Sequence, residues 1–314
     1  MAVENQLICI CGPTASGKTA LSVALAKERD TEILSADSMQ IYRGMDVGTA
    51  KPTEGERQGV PHHLFDIREP GEPFSVAQYV ELADACAQEL LARGKIPIVV
   101  GGTGLYMDAL IECNTFSGGE TDPAIREHYQ RMAAERGNEA VHESLRAVDP
   151  ESAARLHPNN LKRVIRALEV YHQTGMTIDT LNARNRKPEP KYKAYKIGVC
   201  PASRAVLYER IERRVEEMLC GGLLDEAMAL LSAGRLTGTA AQAIGYKELI
   251  PFLEGRDSLE NCAALLRQRT RNYAKRQLTW LARDPGIHWL RYEEGTELAA
   301  LLQDSTAFLH GCGV

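Results

Sequence analysis

Eight consecutive residues, Gly12, Pro13, Thr14, Ala15, Ser16, Gly17, Lys18 and Thr19, spell a G-x4-G-K-T phosphate-binding loop. The glycines let backbone N–H groups curl inward around an anion, and the helix expected to start at Lys18 adds the positive end of its dipole. Lys18 supplies a mobile cation, and the Thr19 hydroxyl is a ligand for Mg²⁺. The motif calls for a bound phosphate or diphosphate and leaves open what happens to it. An NTPase with this loop adds an apolar strand ending in a metal-holding Asp. Here the apolar run "IPIVV" (96–100) leads into Gly101, Gly102, Thr103 and Gly104. The acid appears instead at Asp37, after the apolar segment 31–37, where it suits a carboxylate beside the phosphates or an ordinary turn or cap.

Further cations recur at helical spacing. Arg210, Arg213 and Arg214 fall in the helical pattern 203–219, and Arg210 and Arg214 share a face. Like charges four apart destabilise a bare helix, so either a bound anion lies between them or Glu209, Glu216 and Glu217 pair with them. Residues 155–193 hold nine Lys or Arg against three acids, a local balance of +6 in a chain of net charge −5. Lys162, Arg163 and Arg166 lie near a helix start, where the dipole disfavours cations, so phosphate contacts would give their placement a reason. A second acid-free run, 267–277, repeats Arg267, Arg271 and Lys275 every four residues. One such run is ordinarily a solvated face. Two in an acidic protein point to RNA.

These groups need a scaffold, and the strand signals supply one. Apolar runs at 6–12, 31–37, 63–67, 96–102 and 192–200 alternate with helical patterns, including a long one at 74–94, and a short strand at 286–290 precedes a terminal helix. The pattern predicts an α/β fold: a P-loop NTPase-like parallel sheet with helices on both faces. Between 116 and 190 the strands disappear, and charged helical segments follow at 122–136, 138–148 and 160–174. That stretch reads as an inserted all-helical domain, the core being 1–115 with 191–314. The chain has 314 residues, 44% of them hydrophobic, enough for a sizeable core. Eight scattered cysteines without a C-x-x-C pair fit a reducing cytosol better than a disulfide framework or a zinc site. "MAVENQ" lacks the basic start of a signal peptide, and the most apolar stretch, "IPIVVGGTGLYMDALI", is too short and glycine-rich to span a membrane. A cytoplasmic monomer is the expectation.

Several stretches taken together resemble the bacterial tRNA dimethylallyltransferases, or tRNA isopentenyltransferases: 12–19, "SADSMQIYRGMDVGTAKPT" (35–53), "PHHLFDI" (61–67), "VVGGTGLY" (99–106), "HPNNLKRVIRALEV" (157–170), "GYKE" (245–248) and "AKRQLTWL" (274–281). The resemblance implies that dimethylallyl diphosphate sits in the phosphate loop with Mg²⁺ on Thr19. Its dimethylallyl group would pass to N6 of an adenosine beside the tRNA anticodon. It further implies that Asp37 takes the N6 proton, that Thr103 lies near the bridging oxygen of the diphosphate, and that Arg214, with Arg210 as fallback, contacts the diphosphate. Gln40, Gly245, Tyr246 and Lys247 match family positions that approach the anticodon loop, and Asp37, Ser38, Met39, Thr103, Arg126, Lys162, Arg163, Arg166, Arg271 and Lys275 are further residues expected to meet the anticodon stem-loop, with the helical insertion as clamp. The target base has to be extruded from its stack. With no Cys/His pair near Val314, the zinc-finger extension of eukaryotic relatives is expected to be absent. A small-molecule or nucleoside kinase is the runner-up, against which the missing strand-terminal Asp counts. Two further readings share the phosphate loop: a nucleotide-sensing RNA-binding regulator, and a prenyltransferase of free AMP or ADP. The helical insertion and the two basic runs count against a free nucleotide as acceptor.

Overall fold

The computed structural model describes residues 5–113, 122–185 and 189–314. In chain order it begins with β1 (Gln6–Cys11), α1 (Lys18–Glu28), β2 (Ile33–Ser35), α2 (Glu54–Arg57), β3 (His62–His63), α3 (Val76–Ala92), β4 (Ile98–Gly101) and α4 (Gly104–Glu112). Five helices follow: α5 (Pro123–Arg136), α6 (Asn138–Val148), α7 (Pro150–Arg155), α8 (Leu161–Thr174) and α9 (Ile178–Asn185). The remainder is β5 (Lys193–Pro201), α10 (Arg204–Cys220), α11 (Leu223–Ser232), α12 (Ile250–Leu253), α13 (Leu259–Leu281), β6 (Ile287–Tyr292) and α14 (Leu298–Gly311). The chain divides into two compact units, Met1–Cys113 with Pro190–Val314, and Asn114–Glu189.

In the first unit six parallel strands form one sheet in the order β3-β2-β4-β1-β5-β6. The apolar run "QLICIC" becomes the central strand β1, and its period of two feeds two cores. Leu7, Cys9 and Cys11 pack with Tyr79 and Ala83 of α3 and Leu110 of α4 on one face. Ile8 and Ile10 pack with Leu21 and Leu25 of α1 and Leu309 of α14 on the other. Helices therefore cover both faces, as a wholly parallel sheet requires. The helix starts follow local chemistry: Ser75 and Gln78 form a capping box for α3, and the Ser203 and Ser258 side chains cap α10 and α13.

The expected strand over 63–67 shrinks to His62–His63. Leu64 and Asp66 adopt φ values of 68° and 55°, which no strand continues. The turned backbone instead lets the Ile67 and Arg68 amides donate to the Ile41 carbonyl at 2.9 and 3.0 Å. It also carries Asp66 to the buried Lys51 ammonium at 2.6 Å. β2 likewise stops at Ser35, so Asp37 lies in the loop beyond the strand.

The second unit is helical throughout its described residues, with its own core of Tyr129, Val141, Leu145, Val164, Ile165 and Leu168. Two short helices, α7 and α9, fall where no clear pattern was visible in the sequence.

Candidate active site

The phosphate loop connects the carboxyl end of β1 to α1, and three distant residues fix its shape. The Ala15 carbonyl accepts from Arg210 Nε at 2.7 Å, and the Ser16 carbonyl accepts from the Tyr292 hydroxyl at 3.0 Å. A trans peptide points its N–H opposite to its C=O, so the Ser16 and Gly17 amides point away from Arg210 and Tyr292. Gln277 of α13 uses both ends of its amide. Its oxygen accepts from the Thr14 N–H at 2.8 Å and its nitrogen donates to the Gly102 carbonyl at 3.0 Å. The phosphate loop and the loop after β4 are thereby held in register by one buried side chain.

Beside the loop lies a cavity of about 320 Å³. Thr14, Lys18, Thr19, Asp37, Ser38, Met39, Gln40, Arg214, Gly245 and Lys247, each singled out in the sequence, are among its walls. Lys18 Nζ folds back onto the Pro13 carbonyl at 2.6 Å. Burial first and nearby Arg214 second pull its pKa down to about 8, with Asp37 opposing both. Arg214 Nη1 lies 3.5 Å from Thr14 Oγ1, and burial lowers its pKa as well, against the pull of Asp37. Two cations kept partly dehydrated at one wall form a place for a polyanion. Arg210 is spent on the outside of the loop, and its guanidinium lies over the Tyr292 ring. Arg214 is thus the arginine of α10 that opens on the cavity.

Asp37 combines both readings of its position. Its Oδ1 accepts from the Met39 N–H at 2.8 Å and the Gln40 N–H at 3.4 Å, forming an Asx turn, while the residue bounds the cavity. The turn fixes the carboxylate's direction. Thr103 stands behind this turn: its Oγ1 accepts from the Ser38 N–H at 3.3 Å, and it also bonds with the Tyr273 hydroxyl. Thr103 is not among the residues bounding the cavity.

The last residue of β4, Gly101, leaves no room for a metal-holding acid at that position. A Cβ at Gly101 would lie 2.1 Å from the Ala36 carbonyl oxygen, so no side chain fits there. Among the described residues no group of three or more His, Cys, Asp or Glu could hold a metal. The Thr19 hydroxyl and Asp37 carboxylate nevertheless bound the same cavity. Such a pair suits a hard cation that takes one or two protein oxygens and borrows the rest from phosphate and water.

One residue expected to meet RNA is buried, and three of the expected cations have acidic partners. Tyr246 is fully buried and donates its hydroxyl to Glu226 Oε1 at 2.6 Å, so it supports the 245–247 segment from behind and offers no face to RNA. Arg271 pairs with Glu212 at 2.7 Å and Arg267 with Glu216 at 2.9 Å, so acids of α10 neutralise much of the stripe on α13. Lys275 and Arg276 remain exposed, and Arg276 bounds the cavity. In the helical unit, Arg126 reaches the fully buried Glu169 at 2.6 and 3.0 Å, and Arg166 reaches it at 3.4 Å, so one carboxylate serves both guanidinium groups. Lys162 and Arg163 lie exposed on the first turn of α8. Arg186 and Lys187 of the basic segment lie outside the described residues.

Sequence reasoning missed Tyr273, Gln277, His62 and Phe65, all of which bound the cavity. His62 and Phe65 stack at 5.6 Å between ring centroids, and the Arg57 guanidinium lies over Phe65. The "PHHLFDI" and "AKRQLTWL" stretches contained the aromatic pair and Gln277 without singling them out, and nothing local assigns a role to Tyr273.

A wholly parallel sheet with a P-loop at its carboxyl edge, a carboxylate beside it and a glycine in place of the usual metal acid defines an α/β phosphate-binding protein of the P-loop kind. The sequence profile of the IPP transferase family matches residues 40–284, and that of the isopentenyl transferases matches residues 5–69. A tRNA dimethylallyltransferase of Geobacillus thermodenitrificans is 48% identical over 309 residues, covering 98% of both chains. The crystal structure of a tRNA isopentenylpyrophosphate transferase from Bacillus halodurans superposes with a TM-score of 0.73 at 42% identity, covering 98% of this chain and 96% of that one. A eukaryotic dimethylallyltransferase, captured acting on tRNA, gives 0.81 at 27% identity over 98% and 80% of the two chains. The chain belongs to the IPP transferase family.

Proposed function

We propose that this chain transfers the dimethylallyl group of dimethylallyl diphosphate to N6 of the adenosine adjacent to the anticodon of tRNA and releases pyrophosphate. The single observation that carries the reading is the cavity itself. It joins the phosphate loop, Lys18 and Arg214 to the Asp37 carboxylate, while Gly101 has no room for a metal-binding side chain.

The bond between the allylic C1 and its diphosphate oxygen breaks, and its electron pair leaves with the pyrophosphate. Charge grows on that leaving group, so the amides of Ser16 and Gly17, with Lys18 and Arg214, stabilise the transition state more than the ground state. The N6 lone pair is delocalised into the purine ring, and the nitrogen sheds a proton as it bonds to C1. Asp37, aimed by its turn, takes that proton. Thr103 and Tyr273 steady the Ser38 backbone beside it. A Mg²⁺ held by Thr19 would neutralise diphosphate charge. Met39, Val215, Met218 and Leu266 supply apolar wall for the isoprenoid and exclude water. Gln40, Gly245 and Lys247 offer polar contacts for the acceptor, and Lys162 and Arg163 of the helical unit offer phosphate contacts.

The test is mass spectrometry of tRNA nucleosides after incubation with dimethylallyl diphosphate and Mg²⁺. Prenylated adenosine is expected. Asp37→Ala should cut turnover by about 10²–10⁴ while diphosphate affinity holds. Phosphate release from ATP with no heavier adenosine would instead favour the kinase reading.

A further inference from the structure

One carboxylate outside the cavity gathers two of its walls. Glu226, on α11, is not among the residues that bound the cavity. Its Oε2 accepts from the Asp46 and Val47 amides at 2.8 and 2.9 Å. Its Oε1 accepts from the Gly48 amide at 2.9 Å and from the Tyr246 hydroxyl at 2.6 Å. Three successive N–H groups converging on one point form a nest of the kind that binds free anions. Here the chain fills it with its own side chain. Tyr246 closes the joint from below, where a Cβ on Gly48 would lie 2.4 Å from its ring.

Two branches run from this joint to the cavity. The nest continues into Gly48, Thr49 and Ala50, which bound the cavity, and Gln40 Nε2 holds the carbonyls of Thr49 and Ala50 at 3.2 and 3.3 Å. Gln40 belongs in turn to the Asx turn that aims Asp37. The other branch passes from Tyr246 to its neighbours Gly245 and Lys247, both cavity walls. The phosphate loop hangs from a different set of partners, Arg210, Tyr292 and Gln277.

We propose that Glu226 is a positioning residue for the acceptor side of the reaction, setting the 46–50 loop, and through Gln40 the Asp37 turn, against the incoming base. The assignment of that side rests on the transferase reading above. Because donor and acceptor walls hang from separate anchors, loss of Glu226 should separate the two substrates kinetically, which a general loss of fold would not.

The experiment compares wild type with Glu226→Gln, Glu226→Leu and Tyr246→Phe. Glu226→Gln keeps the shape but cannot accept from all four donors, whereas leucine removes every acceptor. For Glu226→Gln the expected result is a fall of about tenfold in kcat/KM for tRNA, the scale of one or two charge-assisted hydrogen bonds. The calorimetric Kd for dimethylallyl diphosphate should stay within about twofold of wild type, with leucine worse than glutamine and phenylalanine milder than both. Amide hydrogen exchange across residues 46–50 should accelerate in the same order. Equal losses in donor affinity and tRNA turnover would overturn the proposal, as would unchanged kinetics. If wild type modifies no tRNA, the transferase reading fails on that measurement and the acceptor assignment with it. Hydrogen exchange then judges the anchor alone, and unaltered exchange in Glu226→Gln overturns that too.

Discussion

Raising the pH from 7 to 9 should weaken dimethylallyl diphosphate binding by about tenfold, because burial makes Lys18 hold its proton poorly. With a pKa of about 8, lowered chiefly by burial and then by Arg214, the ammonium is almost fully formed at pH 7. At pH 9 only about one molecule in ten carries it, so binding requires a proton from solution at a cost of about 1.4 kcal/mol. The sign follows from the charges. A bound diphosphate restores the pKa upward, the complex holds more protons than the free protein, and affinity declines as pH climbs above the free value. Below that value the profile is flat. Calorimetry in two buffers of different ionisation enthalpy reads both quantities, the Kd and the protons taken up, which should approach one per ligand at pH 9. Lys18→Arg should flatten the profile, since guanidinium does not titrate in this range. An affinity unchanged between pH 7 and 9 with no proton uptake would refute the reasoning and place the lysine away from the anion.

Arg214→Met should weaken diphosphate binding by about tenfold or more, whereas Arg213→Met should leave it within about twofold, both read by calorimetry. Reversing charge at Lys162 and Arg163 should weaken tRNA binding and lower the slope of log affinity against log salt by about two. Unchanged affinity and slope would make α8's first turn a plain solvated face. Gly101→Ala pushes a methyl into the Ala36 carbonyl and should lower stability by about 3 kcal/mol, seen as an earlier urea midpoint.

Much of this site was legible because its parts are local. A strand, a glycine-bearing loop and a helix start announce an anion cradle within fourteen residues at 6–19. Asp37 carries its own turn, and the glycines after β4 mark a close backbone approach that the Ala36 contact explains. What escaped depends on chain distance. Gln277 reaches Thr14 across 263 residues, and Glu226 reaches Gly48 across 178. No spacing rule connects such pairs. The basic runs were legible only as counts for a related reason: Arg271 and Arg166 find acids elsewhere in their own units, and charge counted along the chain does not reveal charge cancelled in space. The third strand failed on backbone conformation, since nothing in "HLFDI" advertises left-handed residues at Leu64 and Asp66.

β1 pairs on one side with β4 and on the other with β5, and Thr14 waits on an amide from α13. During synthesis the phosphate loop is therefore made among the first residues yet gains its last supports only when the ribosome has released Gln277 of α13 and then Tyr292 at the end of β6. Nascent chains stopped before Gln277 own every letter of the motif but lack the clasp that holds its shape. A fully braced phosphate loop thus certifies that nearly the whole polypeptide has arrived.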